Sequence, residues 1–359
     1  MKEVRGTKDR SGDLTRRGFL AGVAASAAGC ASASAAGGAK PLRFCAFADI
    51  HYCPGVFPHD SRAWLERILA RAERTDCDMI IHMGDFCHGP AKVRDYVDFY
   101  NDFRIRTYHT IGNHDDDGNS HEETLAAYRL EKGYYHFDRG GFRFVVTDTN
   151  HFERDGEFIH YSKANYHMFW KADQADTIRT HRMSDTRVPP EQLEWMKDVI
   201  ENSPYPCIVT SHASYERSGA CKDGEAVRRI FDEANARHPG RVRLVINGHH
   251  HHDNVRILGN VVYLDLNSAS YDWFKDAHKA YPADYKAKWR LSDHTIMWDD
   301  PVSAIITISP DGHLRVEGQR SRFNLGITPE KAGYGLYDDN GRPTTPDIQS
   351  FELTQHFTA

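Results

Sequence analysis

Residues 107–115, Thr-Tyr-His-Thr-Ile-Gly-Asn-His-Asp, combine a short apolar run, a turn and a group of polar side chains. The run predicts a strand over Thr107–Ile111, because β-branched and aromatic residues are typical of strands. A strand that ends in Gly112-Asn113 makes a turn that lifts His114 and Asp115 into a cleft. We therefore expect polar chemistry at the carboxyl end of this strand.

Four more polar motifs follow other predicted strands. They are Asp49-Ile50-His51, Gly84-Asp85, His212 in Thr-Ser-His, and Gly248-His249-His250-His251. In an open α/β sheet the carboxyl ends of the strands form the binding edge, so the five loops are expected to converge on one cleft. Each motif alone is weak, since the 359 residues include 22 His. All five in this order are not expected by chance.

These motifs supply two carboxylates, an amide oxygen and several imidazoles. A mixed set of nitrogen and oxygen ligands favours Mn²⁺, Fe²⁺, Co²⁺ or Zn²⁺ over Ca²⁺ or Mg²⁺. The sequence therefore predicts a transition-metal site.

From about Arg43 to His251 the five motifs resemble the pattern of the calcineurin-like metallophosphoesterase superfamily. The resemblance implies an α/β fold, a four-layer α/β/β/α sandwich of two mixed sheets flanked by helices. It also implies a centre of two divalent metal ions. The implied ligands are Asp49, His51 and His251 for the first ion, Asn113, His212 and His249 for the second, and Asp85 as the bridge between them. His114 matches the histidine of the family that contacts the phosphate and donates a proton.

The implied activity is hydrolysis of a phosphomonoester or phosphodiester by direct attack of a metal-bound hydroxide, without a Ser or Cys nucleophile. Two metal ions about 3.5–4 Å apart suit this reaction, because they clamp both the attacking and the leaving oxygen. A small phosphate ester is the expected partner, with a weak preference for diesters or small organophosphates. Two alternatives remain open: a metal-dependent scaffold protein on the same fold that has lost turnover, and a nuclease.

Two positions depart from or complicate the family pattern. The run His249–His252 leaves open whether His251 or His252 is the last ligand; alternation of side chains on an extended backbone favours His249 with His251. His250 and His252 are then expected to be solvated or to support the ligands. His88 stands where the purple acid phosphatase branch carries Tyr, so we expect no tyrosinate-bound ferric ion.

Apolar runs that alternate with helical patterns predict one α/β domain over residues 37–325. The predicted strands are Leu42–Ala48, Met79–Met83, Thr107–Ile111, Arg143–Thr147, Cys207–Thr210, Arg243–Ile246, Val261–Leu266 and Ala304–Ile308. Helices are predicted from about residue 60 to Arg74, from Pro190, and from about Gly224 to Ala236. Residues 326–359 are predicted to form a loosely packed tail.

Two long aromatic insertions, near 151–188 and 271–300, interrupt the alternation. Their aromatic side chains, including Trp170 and Trp273, either pack against the sandwich or form the roof of a pocket. The chain also has seven Cys without a Cys-x-x-Cys pair, which argues against a structural zinc knuckle. Cys53 and Cys87 lie near the predicted site and are the one pair worth testing as a disulfide.

Residues 1–36 are predicted to be an export signal. A basic region precedes a short apolar run and Ala-Ser-Ala repeats, and Thr15-Arg-Arg-Gly-Phe-Leu20 resembles the twin-arginine signal. The twin-arginine translocase and an extracytoplasmic, periplasmic location are therefore expected, and lipidation of Cys30 with membrane anchoring is the open alternative. Without these residues the chain carries nine more acidic than basic side chains. That balance disfavours binding to nucleic acid.

Overall fold

The computed structural model describes residues 40–55, 61–164, 186–217, 220–274, 277–289, 294–335 and 344–357. The predicted leader 1–36, its Cys30, and Trp170 in the first insertion lie outside these residues. Within the described ranges, none of the helices has the length and apolar character needed to cross a membrane.

In chain order the strands are β1 (Leu42–Phe47), β2 (Met79–His82), β3 (Thr107–His109), β4 (Tyr135–Arg139), β5 (Phe142–Val146), β6 (His151–Arg154), β7 (Glu157–His160), β8 (Cys207–Ser211), β9 (Val242–Asn247), β10 (Asn254–Leu258), β11 (Val261–Asp265), β12 (Tyr271–Trp273), β13 (Thr295–Met297), β14 (Ala304–Ile308), β15 (His313–Glu317) and β16 (Phe351–Thr354). The α-helices are α1 (Ser61–Arg74), α2 (Arg94–Asn101), α3 (His121–Tyr128), α4 (Pro190–Glu201), α5 (Gly224–Arg237) and α6 (Ala283–Lys288).

These strands form two large mixed sheets. The first has the order β16-β15-β14-β1-β2-β3, in which β1, β2 and β3 run parallel and the others antiparallel. The second has the order β10-β11-β9-β8-β5-β4, with a parallel centre of β11, β9, β8 and β5. The parallel strands β1, β2, β3, β8 and β9 end at the motif loops, which positions the site.

Aromatic side chains join the two sheets face to face. Phe44 on β1 meets Phe144 on β5 edge-on, with 5.4 Å between ring centroids, and Tyr108 on β3 stacks on Phe137 on β4 at 3.6 Å. The mostly apolar sequences of β1 and β9 follow from burial on both faces, because each central strand is covered by the other sheet and by helices.

Helices cover the outer faces. Met196 and Ile200 of α4 and Phe231 of α5 are buried in one cluster with the second sheet. Leu65 and Ile68 of α1 are buried as well, at the helical spacing that the sequence shows. The predicted four-layer α/β/β/α sandwich is confirmed.

All eight predicted strands are present, although β3 stops at His109, two residues before the predicted end. The last residues depart from prediction: the predicted loose tail contributes β16, which pairs antiparallel with β15 and extends the first sheet. The insertions contain the hairpins β6–β7 and β12–β13. The six described Cys are free thiols, so the pairing of Cys53 with Cys87 does not occur in this structure.

Candidate metal centre

Every residue predicted to act on a metal or on phosphate lies just beyond the carboxyl end of a parallel strand. Asp49 and His51 follow β1, Asp85 follows β2, and Asn113 and His114 follow β3. His212 follows β8, and His249 and His251 follow β9. The site therefore forms where the ends of both sheets meet, as expected for this type of fold.

Asp49, His51 and His251 form the first group of donors. Nε2 of His251 lies 3.4 Å from Oδ1 of Asp49 and 3.2 Å from Nε2 of His51. All three side chains are buried. Nδ1 of His251 donates to the carbonyl oxygen of Tyr271 at 2.6 Å, so its Nε2 is the nitrogen that faces the site.

Asn113, His212 and His249 form the second group. Nε2 of His212 lies 3.1 Å from both Oδ1 of Asn113 and Nδ1 of His249. Nδ1 of His212 donates to the carbonyl oxygen of Met83 at 2.7 Å, which again fixes Nε2 as the inward nitrogen. His249 is half-buried, so this group is the more accessible one.

Asp85 lies between the two groups. Its Oδ2 is 3.2 Å from Nε2 of His212 and 3.8 Å from Nε2 of His51. Its Oδ1 accepts a hydrogen bond from the backbone N–H of His114 at 2.8 Å, which fixes the carboxylate plane. One carboxylate thus faces both sets of imidazoles, the placement needed to bridge two cations.

The pKa values of the four histidines in the two groups differ in the direction in which the site shifts them. Burial lowers the pKa of His212, but Asp85 and Asp49 outweigh it and raise the value to about 9. For His251 burial is likewise outweighed, chiefly by Asp49, and the pKa is raised. Burial and nearby imidazoles hold the pKa of His51 and His249 well below the usual value.

Each group therefore has one imidazole that favours a proton beside one that favours the neutral form. Since Nε2 of His212 faces the inward nitrogen of His249 at 3.1 Å, a cation between them would replace the proton and satisfy both lone pairs. The chemistry of this donor set fits a divalent transition metal in each group.

The backbone at the ligands is left-handed. Asp49, His51, Asp85, His249 and His251 have φ between 50° and 69°. Asp and His tolerate this region better than most side chains. The sequence argument preferred His251 to His252 because side chains alternate on an extended backbone, and that reason is wrong. The backbone here turns instead, with a hydrogen bond from His250 N–H to the Gly248 carbonyl oxygen. These turns direct the rings of His249 and His251 inward.

Glycines of the motifs make room for the carboxylates. A Cβ atom at Gly248 would lie 2.5 Å from Oδ2 of Asp49, and one at Gly112 would lie 2.9 Å from Cγ of Asp85. Neither contact is possible without movement of a candidate ligand. The glycines of Gly248-His249 and Gly112-Asn113 are therefore required by the close approach of the loops.

Asp115, the last residue of the Gly-Asn-His-Asp motif, connects the loop after β2 to the loop after β3 by hydrogen bonds. Its carboxylate accepts hydrogen bonds from the backbone N–H groups of Asp85, Phe86 and Cys87, from Gly112 N–H, and from the Tyr128 hydroxyl. These bonds hold the loop after β2 against the loop after β3, and so hold Asp85 in place.

His114 lies at the edge of the centre. Its Nδ1 is 2.9 Å from Oδ2 of Asp117, which also accepts from Nδ1 of His88 at 2.8 Å. Burial lowers the pKa of His114, but Asp85 and Asp117 outweigh it and raise the value to about 9. Without metal, this imidazole therefore favours the protonated form at neutral pH.

His88 supports the first group of donors. Nε2 of His88 is 3.2 Å from Nδ1 of His51, so a chain of hydrogen bonds runs from His51 through His88 and Asp117 to His114. His250 and His252 stand apart from the donor groups: His250 Nε2 accepts from Ser214 N–H, and His252 lies 3.8 Å from Asp272.

Two aromatic rings of the second insertion line the site. The ring of Tyr271 is buried 4.9 Å from that of His51, and half-buried Trp273 lies 6.1 Å from His251 and 6.4 Å from His114. Tyr271 thus packs against His51, whereas Trp273 lies half-exposed beside His114 and His251.

Comparison with known families identifies the chain. Residues 42–253, more than half of the sequence, match the family described as calcineurin-like phosphoesterase. The chain belongs to this family. No curated protein matches the sequence.

Solved structures share the calcineurin-like fold at low identity. They include a dimetal phosphatase from Danio rerio, with 13% identity, a TM-score of 0.50 and coverage of 88% of this chain and 99% of that one. The GAP50 anchor of the Plasmodium inner membrane complex has 11% identity and a TM-score of 0.48, over 89% and 90% of the chains. A purple acid phosphatase from yellow lupin, Lupinus luteus, has 13% identity and a TM-score of 0.43, over 88% and 54%. At 13% identity, the likeness to the Danio rerio structure shows the fold alone.

In this calcineurin-like phosphoesterase, sequence reasoning gave no role to Asp115 or Asp117. Asp115 was visible as the end of a motif, whereas Asp117 joins His88 across 29 positions of the chain and has no local signal.

Proposed function

We propose that this chain hydrolyses phosphate esters with two divalent transition-metal ions. The observation that carries the proposal is the position of Asp85, whose Oδ2 faces His51 of one donor group and His212 of the other. Asp49, His51 and His251 would hold the first ion, and Asn113, His212 and His249 the second.

A pair of bound divalent ions supplies a water activated near neutral pH and positive charge against the phosphoryl oxygens. The protein's own part is to fix the donors. Hydrogen bonds to the carbonyl oxygens of Met83 and Tyr271 orient His212 and His251, and Asp115 holds the loop of Asp85. Such supporting bonds are typical of metal sites.

His114 would protonate the leaving oxygen. The carboxylate of Asp117 holds its Nδ1–H, which leaves Nε2 to carry the proton that is transferred. A positioned acid of this kind is worth roughly 10²–10⁴-fold in rate.

The proposal is tested with purified protein, Mn²⁺ and two substrates, p-nitrophenyl phosphate and bis(p-nitrophenyl) phosphate. We expect hydrolysis of at least one substrate, loss of activity on exhaustive chelation, and recovery when metal is restored. A folded, metal-loaded protein that turns over neither substrate would instead favour the scaffold alternative.

Substitution of Asp85 makes the test specific. Asp85→Asn keeps the shape and the acceptor for His114 N–H but removes one charge beside both ions. At about 4 Å and an effective dielectric constant of about 20, one pair of unit charges is worth about 4 kcal/mol. We expect kcat/KM to fall by about 10³-fold.

Asp78→Asn is the matched control, because Asp78 precedes the same strand, β2, at its opposite end and accepts a bond from Arg43 N–H. Its kcat/KM should stay near that of the wild type. Activity that survives both chelation and Asp85→Asn would refute the two-metal mechanism.

We infer that the substrate has an apolar group next to the phosphorus, as in a diester or a small organophosphate. Support comes from Trp273, whose half-buried ring lies near both His114 and His251. Trp273→Ala should raise KM for bis(p-nitrophenyl) phosphate more than it raises KM for a monoester without an aryl group, such as phosphoserine. Equal changes in both KM values would contradict this substrate class.

We further propose that the protein is exported through the twin-arginine route. The support is the sequence of residues 1–36, with Arg16-Arg17 before an apolar run. Arg16→Lys/Arg17→Lys should retain the full-length chain in the cytoplasm, and the N-terminus of the exported wild type should begin after residue 36. A mature chain that begins at a lipidated Cys30 would instead show that the protein is anchored to the membrane.

A further inference from the structure

A second cluster of buried donors lies outside the dinuclear centre. The potential ligand atoms of Asp116, His121 and His160 all lie within 4.8 Å of one another. Oδ2 of Asp116 is 3.6 Å from Nδ1 of His121 and 3.7 Å from Nδ1 of His160. We propose that this cluster binds a third metal ion, a divalent transition metal of the zinc class.

The surroundings of the Asp116 carboxylate are the observation that most favours a cation here. The residue is 5% exposed, yet neither of its oxygens accepts a hydrogen bond. The neighbouring carboxylates differ, since Asp115 accepts from several backbone N–H groups and Asp117 accepts from two imidazoles. A buried charge is strongly unfavourable unless it is paired, and the imidazoles of His121 and His160 lie 3.6 Å and 3.7 Å from Asp116, where a shared cation would join all three. Nδ1 of His121, which faces it, also lacks a hydrogen bond.

The spacing of the donors fits one ion. Ligands about 2.0–2.1 Å from a tetrahedral ion lie about 3.4 Å from each other. The observed 3.6 Å and 3.7 Å need only a small contraction of the side chains. Two imidazoles and one carboxylate suit Zn²⁺, Fe²⁺ or Co²⁺ and leave further positions open.

His160 also has the support that is typical of a ligand. Its Nε2 lies 3.2 Å from Oδ2 of Asp148, so this nitrogen donates outward and Nδ1 faces Asp116. Asp148 is itself fixed, because its Oδ1 accepts from Asn150 N–H at 2.8 Å. A carboxylate behind the outer nitrogen of a ligating histidine is a common arrangement in metal sites. In the absence of an ion, Nδ1 of His160 accepts a hydrogen bond from Ser162 N–H at 3.3 Å and lies 2.9 Å from the Ser162 hydroxyl. Binding of an ion at Nδ1 would replace both contacts.

The three donors come from different elements. Asp116 follows His114 in the loop after β3, His121 begins α3, and His160 ends β7. An ion held by all three would fix the loop of His114 to the β6–β7 hairpin. Its role is therefore structural support of the catalytic loop, distinct from the two ions that Asp85 would bridge.

Metal content tests the proposal directly. After equilibration with Zn²⁺ and removal of free ion, inductively coupled plasma mass spectrometry should find three equivalents per chain in the wild type. His121→Gln and His160→Gln should each retain two. Asp85→Asn should retain the third ion whether or not the dinuclear centre loads, which separates this proposal from the proposed function.

Two further variants make the test independent of folding defects. Asp148→Asn leaves all three donors in place and should weaken binding of the third Zn²⁺ by about 10–100-fold. His313→Gln, on β15 against Glu352, is the control and should retain three equivalents. Two equivalents in the wild type, or a third that survives both His121→Gln and His160→Gln, would overturn the proposal.

Discussion

Gly112→Ala should disable the centre without replacing any candidate ligand. A Cβ atom at this position would lie 2.9 Å from Cγ of Asp85 and closer still to its Oδ1 and backbone nitrogen. Carbon atoms approach comfortably to about 3.5–4.0 Å. The backbone and the carboxylate of Asp85 must therefore move by about 0.5–1 Å, and a displacement of that size in a catalytic site costs about 10²-fold in rate.

The φ angle of Gly112 itself does not oppose the substitution, because Gly112 is outside the left-handed region. At such positions Gly→Ala stabilises a protein by about 0.4–1 kcal/mol through the unfolded state. The predicted defect is therefore steric and is directed at Asp85. We expect kcat/KM for bis(p-nitrophenyl) phosphate with Mn²⁺ to fall by about 10²-fold.

Gly156→Ala, in the turn between β6 and β7, is the control. Gly156 has φ of +84° and no atom within 4 Å of the added Cβ, so the change adds backbone strain but no collision. It should lower stability by about 1–2 kcal/mol and leave kcat/KM unchanged. If folded Gly112→Ala keeps its metal content and nearly all of its activity, the packing of Gly112 against Asp85 does not position the centre.

Three further outcomes follow from the hydrogen bonds around the site. Asp117→Asn removes a charge that raises the pKa of His114, so kcat should fall by about 10–100-fold, and more for alkyl than for p-nitrophenyl leaving groups; equal losses would argue against His114 as the acid. Asp115→Ala leaves four backbone N–H groups without an acceptor, so urea denaturation should show a loss of at least about 3 kcal/mol, and a loss under about 1 kcal/mol would contradict this. In the metal-free protein the pKa of His114 is raised to about 9, so its stabilisation is complete below the unfolded value of about 6.5 and lost as pH rises through 9. The urea midpoint in EDTA should fall over that range, and a flat profile would refute the assignment.

The central strands and the motif loops could be predicted because their signals are local. β1 and β9 are mostly apolar, and each is followed by a polar motif within a few residues. Since sites form at the carboxyl ends of parallel strands, the convergence of the loops can be predicted without knowledge of the side-chain geometry.

The remaining elements depend on distant partners. β16 pairs with β15 after an interval of more than thirty residues, and the sequence between them gives no sign of the pairing. The hydrogen bond between His88 and Asp117 likewise joins two loops. The left-handed backbone at His249 and His251 was missed because the period of a strand was applied to residues that lie beyond the strand.

The backbone of the five left-handed ligands has a consequence for redesign. Each such residue is disfavoured by about 1–2 kcal/mol relative to a right-handed conformation, so together they approach the whole stability of a small domain. Only loops anchored at both ends by rigid strands can hold that conformation before any ion arrives. Transplanting the motifs onto a flexible carrier would let the chain relax and scatter the donors, whereas exchange of the two insertions leaves the anchoring intact. New substrate preferences are therefore best sought in the insertions, with the motif loops kept unchanged.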